Sequence, residues 1–213
     1  MIKVYNWMIL ALFITGIVAV FVSTHISLVS GLILNEYAFI GLCIAELILV
    51  WYLRKNVRNM TIVQAAAAYI IYSVLNGVTF SVIFLAYTAT SIAYTFFVCS
   101  GVFLVASIYG MTTNKDLSRW GSVLMVTLIC LILVSILNFF FASSMIYWIT
   151  TYVGILLFIG LTIYDTQKIQ KYNIIGNEGT EEDRKEALMG ALELYLDFIN
   201  LFLYLLRVLG RRK

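Results

Sequence analysis

The chain has 213 residues, of which 62% are hydrophobic and 12% charged, with a mean hydropathy of +0.98 and a formal charge of +3. A soluble domain holds about 45–50% apolar and about 25% charged residues, so this balance excludes an ordinary soluble fold and describes a multi-pass membrane protein. The basic residues cluster at the ends of apolar runs, which gives no reason to expect a nucleic-acid partner.

Runs of about 17–25 apolar residues read as spanning helices. Seven are predicted: Asn6–Ile26, Tyr37–Leu53, Ile62–Ala86, Ile92–Met111, Gly121–Phe141, Ile146–Asp165 and Leu188–Leu206. The expected fold is therefore all-α, a seven-transmembrane-helix bundle forming a single domain over residues 1–213. The first run is too long, and too weakly cationic at its start, for a cleaved signal peptide. Proline is absent, which removes that route to helix breaks. No internal repeat supports an inverted-repeat transporter.

Lys3 precedes the first run. Arg54, Lys55 and Arg58 follow the second, Lys115 and Arg119 the fourth, and Lys168, Lys171, Arg184 and Lys185 lie between the sixth and seventh. The alternate connections carry no Lys or Arg, so the positive-inside rule predicts a cytoplasmic N-terminus in a cell membrane. Seven full spans then leave Arg211, Arg212 and Lys213 outside, against that rule. A full seventh span is still expected, because no breaker precedes Gly210. The Glu178–Glu186 stretch, with five acids beside Arg184 and Lys185, reads as a solvated loop.

Four carboxylates fall within or at the end of these runs: Glu46, Asp165, Glu193 and Asp197. An Asp at membrane depth costs at least ~2.5–3.5 kcal/mol on insertion scales, so such residues mark ion pathways, proton relays or counter-ions. Spacings of three and four share a helix face. Glu193, Asp197, Asn200, Tyr204 and Arg207 thus form one inward stripe on the seventh helix. Asp197 lies about 13 Å in from Leu188 at 1.5 Å per residue, close to mid-membrane.

On the sixth helix Asp165 shares a face with Thr162, Phe158 and Gly154. Glu46 is either a second polar point or the partner of a neighbouring hydroxyl, and Arg54 either snorkels or pairs with Asp165. Ser73, Gly77 and Ser81 recur every fourth residue, as do Ala106 and Gly110, and read as close-packing faces. Asn76 and Asn138 are expected to bond between helices. Cys43, Cys99 and Cys130 stand alone without a CxxC, and His25 by itself makes no nitrogen-rich metal site, so no cofactor is expected.

Leu194-Tyr195-Leu196-Asp197-Phe198-Ile199-Asn200-Leu201-Phe202 resembles the seventh-helix signature of the Bax inhibitor-1 family. Thr79–Thr88, Ser107-Ile108-Tyr109-Gly110 and Gly160–Gln167 resemble further segments of its bacterial branch, in family order. The resemblance implies a seven-helix bundle with the seventh helix central. It also implies a pH-sensitive calcium leak controlled by a pair of Asp residues, matched here by Asp165 and Asp197. Arg54 matches, by position, a basic latch on the sixth-helix Asp. Glu193 lies outside the invariant part of the motif.

Two carboxylates in a poorly hydrated site resist joint ionisation, so one proton is held toward physiological pH. Their hard oxygens suit calcium, but two carboxylates favour transient passage over storage. Three readings stay open: a calcium leak through the pair, proton-coupled cation exchange, and a regulatory protein that binds a partner such as a membrane protease. An intramembrane aspartyl protease is weighed and set aside, because Asp197 sits in Tyr-Leu-Asp-Phe instead of a Gly-rich signature. No enzymatic activity is expected.

Overall fold

A computed structural model describes residues 1–25, 29, 31, 35–172 and 179–213. Among them are seven long α-helices: α1 (Ile2–Thr24), α2 (Glu36–Asn56), α3 (Ile62–Ala86), α4 (Ala89–Thr112), α5 (Ser118–Phe141), α6 (Ser144–Tyr172) and α7 (Glu181–Leu209). A 3₁₀ turn, Val57–Asn59, follows α2. On length and composition α1 to α6 are apolar enough to cross a membrane. Their outward faces carry large apolar side chains, Phe139 at 84% exposure and Phe97 at 75% among them, a surface stable only against lipid. Residues 173–178, between the sixth and seventh predicted runs and including Glu178 of the expected loop, and the expected first-helix end at Ile26 lie outside the described residues.

Two helices run further than hydrophobicity alone predicts. α6 continues two turns past Asp165, and α7 begins at Glu181 instead of Leu188, so Glu181–Glu186 are helical and not loop. The charges end an apolar run without ending the helix. Local chemistry explains the early start of α7: the Thr180 hydroxyl accepts from Asp183 N at 3.2 Å, and Asp183 Oδ2 accepts from Gly179 N at 3.0 Å. Thr180 thus caps the helix, and Asp183 reaches back to the amide one residue before the cap. Thr61 and Gln64 form a full capping box at the start of α3.

The described chain gathers into two compact units, and the division falls within α7. The first comprises Met1–Ala89, the described part of Asn173–Tyr195, and Arg211–Lys213. Here α3 packs on α1 and α2. Gly77 makes the α1–α3 approach possible: a Cβ there would lie 2.9 Å from the Thr15 carbonyl oxygen and 2.6 Å from Val18 Cβ. Ser73 and Ser81 on the same face are fully buried.

One end of α3 lies against the first turn of α7 and the other against the residues that follow it. Glu181 Oε1 accepts from Ile62 N at 2.9 Å, and Lys3 bonds Asp183 at 2.6 Å. At the other end Lys213 donates to the Phe84 carbonyl at 2.6 Å, while Thr88 N donates to Arg211 O at 3.1 Å. The last residues therefore lie at the end of α3 opposite to Lys3.

The second unit comprises Thr90–Tyr172 and Leu196–Gly210. α5 and α6 pack together and are joined by a tight turn in which Ala142 takes φ 47°. Asn138 accepts from Ser143 N at 3.0 Å across that turn. Asn76, in the first unit, donates to the Tyr72 carbonyl of its own helix at 3.0 Å. Both Asn side chains thus serve their own backbone, where bonds between helices were expected.

Candidate functional site

Side chains that meet between α6 and α7 fix the register of these helices. The Arg207 guanidinium lies 5.5 Å from the Tyr147 ring centroid and 4.8 Å from that of Tyr204. Tyr204 stacks on Phe158 with centroids 5.8 Å apart, over the bare backbone of Gly154, where a Cβ would come within 2.6 Å of the ring. Moving back along α7 thus means moving forward along α6, and the helices are antiparallel. Seven residues make close to two turns, so a step of seven keeps the face. Seven on from Phe158 is Asp165, and seven back from Tyr204 is Asp197. Asp165 and Asp197 therefore lie on the sides of α6 and α7 that carry Phe158 and Tyr204.

Their surroundings differ. Asp197 is 5% exposed. The next residue, Phe198, packs edge-on against Phe103 at 5.4 Å and accepts the Cys99 thiol on its carbonyl at 3.8 Å. Asp165 is half-buried, and Lys168 approaches its Oδ1 at 3.8 Å from one turn on. Thr162, fully buried on the Asp165 face, donates to the Phe158 carbonyl at 2.7 Å. The site therefore offers one enclosed carboxylate and one reached by a cation at the edge. No group of three or more His, Cys, Asp or Glu side chains converges among the described residues. Such a pair can exchange a proton or pass a hard cation, but two carboxylates make a poor permanent calcium cage.

The other expected residues fall as follows. Tyr204 is held between Phe158 and Arg207, and Asn200 donates to the Leu196 carbonyl at 2.8 Å. Glu193 is half-buried on α7, in the part that belongs to the first unit. Glu46 accepts from the Thr79 hydroxyl of α3 at 2.5 Å, so it has a hydroxyl partner. Arg54 is exposed in the last turn of α2, beside Lys55, whose ammonium lies 4.8 Å from the Trp51 ring centroid. Arg54 belongs to the first unit and Asp165 to the second, so the latch remains an expectation from sequence. Cys99 is buried, Cys43 half-buried and Cys130 exposed, all three as free thiols.

Sequence reading missed Gln167. Its Oε1 accepts from Leu117 N at 3.0 Å and its Nε2 donates to the Lys115 carbonyl at 2.8 Å. One buried amide thereby holds the α4–α5 connection against α6, two residues from Asp165. Lys171 reinforces it by bonding Asp116 at 2.6 Å. That ammonium, with Ser118, holds the Asp116 carboxyl down at about 2. The Asp-Thr-Gln run was in view, but nothing in its spacing pointed to a loop clamp.

The family described as "Inhibitor of apoptosis-promoting Bax1" matches residues 1–213, the whole chain. The chain belongs to the Bax inhibitor-1 family. It is 42% identical over 214 residues to the "Inner membrane protein YbhL" of Escherichia coli, covering 100% of this chain and 92% of that protein. An uncharacterized protein of Rickettsia prowazekii is 43% identical over 216 residues, covering 100% of this chain and 89% of its own length. An uncharacterized membrane protein of Streptococcus pyogenes is 36% identical over 185 residues, with 87% and 80% covered. Family membership and the apolar helices together make the chain a membrane protein.

Proposed function

We propose that this Bax inhibitor-1 family protein is a pH-sensitive calcium leak channel, gated by a proton shared between Asp165 and Asp197. The observation that supports the reading is the stacking of Tyr204 on Phe158, because Asp165 and Asp197 each lie two turns from those rings on the same helix faces. Near neutral pH, close carboxylates in a poorly hydrated site hold one proton between them. Loss of that proton adds negative charge to the path, and a divalent cation is the species that responds most strongly. Calcium and protons are the substrates; the protein uses no cofactor and catalyses no reaction.

α7 supports a central place in the bundle, since Leu188, Ala191, Leu192, Leu194, Tyr195 and Leu201 are fully buried and Asp197 lies among them. A helix buried on all sides belongs in a core. The protein lies in the cell membrane with its N-terminus cytoplasmic, as the clustering of basic residues at one set of helix ends supports.

Calcium entry into proteoliposomes tests this function. A leak fills the liposomes down the calcium gradient with no proton gradient imposed. Filling that appears only when an outward proton gradient is applied makes the protein an exchanger instead. A sealed vesicle under both conditions leaves a regulatory role.

A further inference from the structure

Two buried hydroxyls stand apart from every contact described above: Thr166 on α6, at the crossing with Gly110 of α4, and Ser107, one turn of α4 before that glycine. Ser107 and Thr166 are 1% and 0% exposed, and neither hydroxyl oxygen has a hydrogen-bond partner among the described residues. One turn beyond Ser107, Gly110 removes the side chain from the crossing. A Cβ there would lie 2.5 Å from the Ile163 carbonyl oxygen and 3.0 Å from Thr166 Cβ.

Ser and Thr within a helix ordinarily donate to the carbonyl one turn earlier. Thr112, Thr150, Thr151 and Thr162 in the same unit all do so. Ser107 and Thr166 do not. A buried hydroxyl left unbonded is destabilising, and more so where lipid replaces water outside. Buried water with polar partners is the usual remedy. The position is informative too: Thr166 directly follows Asp165.

We propose that Ser107 and Thr166 form a water site at the α4–α6 crossing that hydrates the cation as it passes the carboxylate pair. The role assigned to the water rests on the calcium-leak reading, whereas the water site itself does not. Calcium takes about 6–8 oxygens, and two carboxylates supply at most about four, so water held beside the pair makes up part of the shell.

Two measurements on the full-length protein test this. In the first, Ser107→Cys and Thr166→Cys are exposed in proteoliposomes to a small water-soluble methanethiosulfonate, with wild type and its three native thiols as the baseline. Modification above that baseline is expected at both positions. If both cysteines stay unmodified until detergent unfolds the protein, the site is dry and the inference is overturned.

In the second, calcium flux is compared for Thr166→Val, Ser107→Ala and Thr166→Ser. The first two should lower flux about five- to tenfold, the scale of one lost hydrogen bond, with no loss of thermal stability. Thr166→Ser should retain flux. If both hydroxyl-free variants conduct as wild type while Asp197→Asn is impaired, the inference falls and the leak reading stands. If wild type passes no calcium, the leak reading falls and the thiol measurement alone decides the water site.

Discussion

The two units differ in how many buried hydroxyls they leave open among the described residues. In the first, the Thr15 hydroxyl donates to the Ser73 carbonyl at 3.0 Å and shares a 2.8 Å bond with the Tyr195 hydroxyl. Ser73 in turn donates to the Tyr69 carbonyl, and Tyr69 and Tyr72 pack edge-on against Tyr195 at 6.3 and 6.0 Å. The Tyr5 hydroxyl is an exception, buried with no partner among the described residues. In the second unit, Thr95, Ser107 and Thr166 all keep buried hydroxyls in that condition, on the helices that also carry or face Asp165 and Asp197. A closed network fixes one packing arrangement. Open polar groups are costly for stability, and each calls for a physical reason.

The largest expected effect tests what the units have in common. Gly77→Leu and Gly110→Leu each force a side chain into a backbone contact under 3 Å. Each should destabilise by about 3 kcal/mol, at the upper end of overpacking, read as thermal unfolding in detergent. A Gly110 variant as stable as wild type would mean that α4 and α6 are not in close contact, and the second unit would need redrawing.

Flux should separate the units next. Arg54→Ala removes an exposed cation, and if Arg54 is the latch proposed for Asp165, the loss is worth about 1 kcal/mol, roughly a fivefold shift of a two-state pore. Flux should therefore rise at neutral and alkaline pH and change little in acid, where a protonated Asp165 no longer attracts it. An unchanged profile, with Lys55→Ala or Arg58→Ala raising flux instead, names a different latch.

The contrast between closed and open hydroxyls sharpens into a pair of conservative variants. Tyr195→Phe breaks a buried bond between side chains and should cost about 1 kcal/mol, whereas Thr166→Val removes a hydroxyl that no described residue bonds and should leave stability unchanged or higher. Equal losses from both would erase the distinction.

The smallest effect concerns acid. Lys3 and the Gly179 amide hold Asp183 below the usual carboxylate range, and the Ile62 amide and Lys185 do the same for Glu181. Lowered carboxylates contribute stability above their unfolded values and lose it as pH falls through the folded ones. Unfolding temperature should thus drop modestly on acidification below about pH 4, the ordinary carboxylate value. Asp183→Asn should flatten that drop.

Much of the fold was legible because lipid imposes a simple rule. Apolar runs of spanning length became α1 to α6, and spacings of four found the Ser73–Gly77–Ser81 and Ala106–Gly110 faces that the close contacts use. The pairing of Asp165 with Thr162, Phe158 and Gly154 on one face followed from helical period alone. Helix ends were less legible, since hydropathy stops at the first charge while capping decides where the helix stops. Thr180-x-x-Asp183 carried that signal for α7. Asn76 and Asn138 were misread because an Asn in a helix can satisfy itself on its own backbone. The roles of Gln167, Ser107 and Thr166 depend on which helices meet, and periodicity within one helix does not encode that.

The central claim is that Asp165 and Asp197 act as one proton-sharing pair. Calcium flux through Asp165→Asn and Asp197→Asn, measured side by side with wild type across pH 5 to 9 in proteoliposomes, tests it most directly. Asn is nearly isosteric with the neutral acid, so either substitution should flatten the pH response, and the double variant should add nothing further. Wild-type pH profiles in both single variants would contradict the account and leave the two carboxylates a structural role.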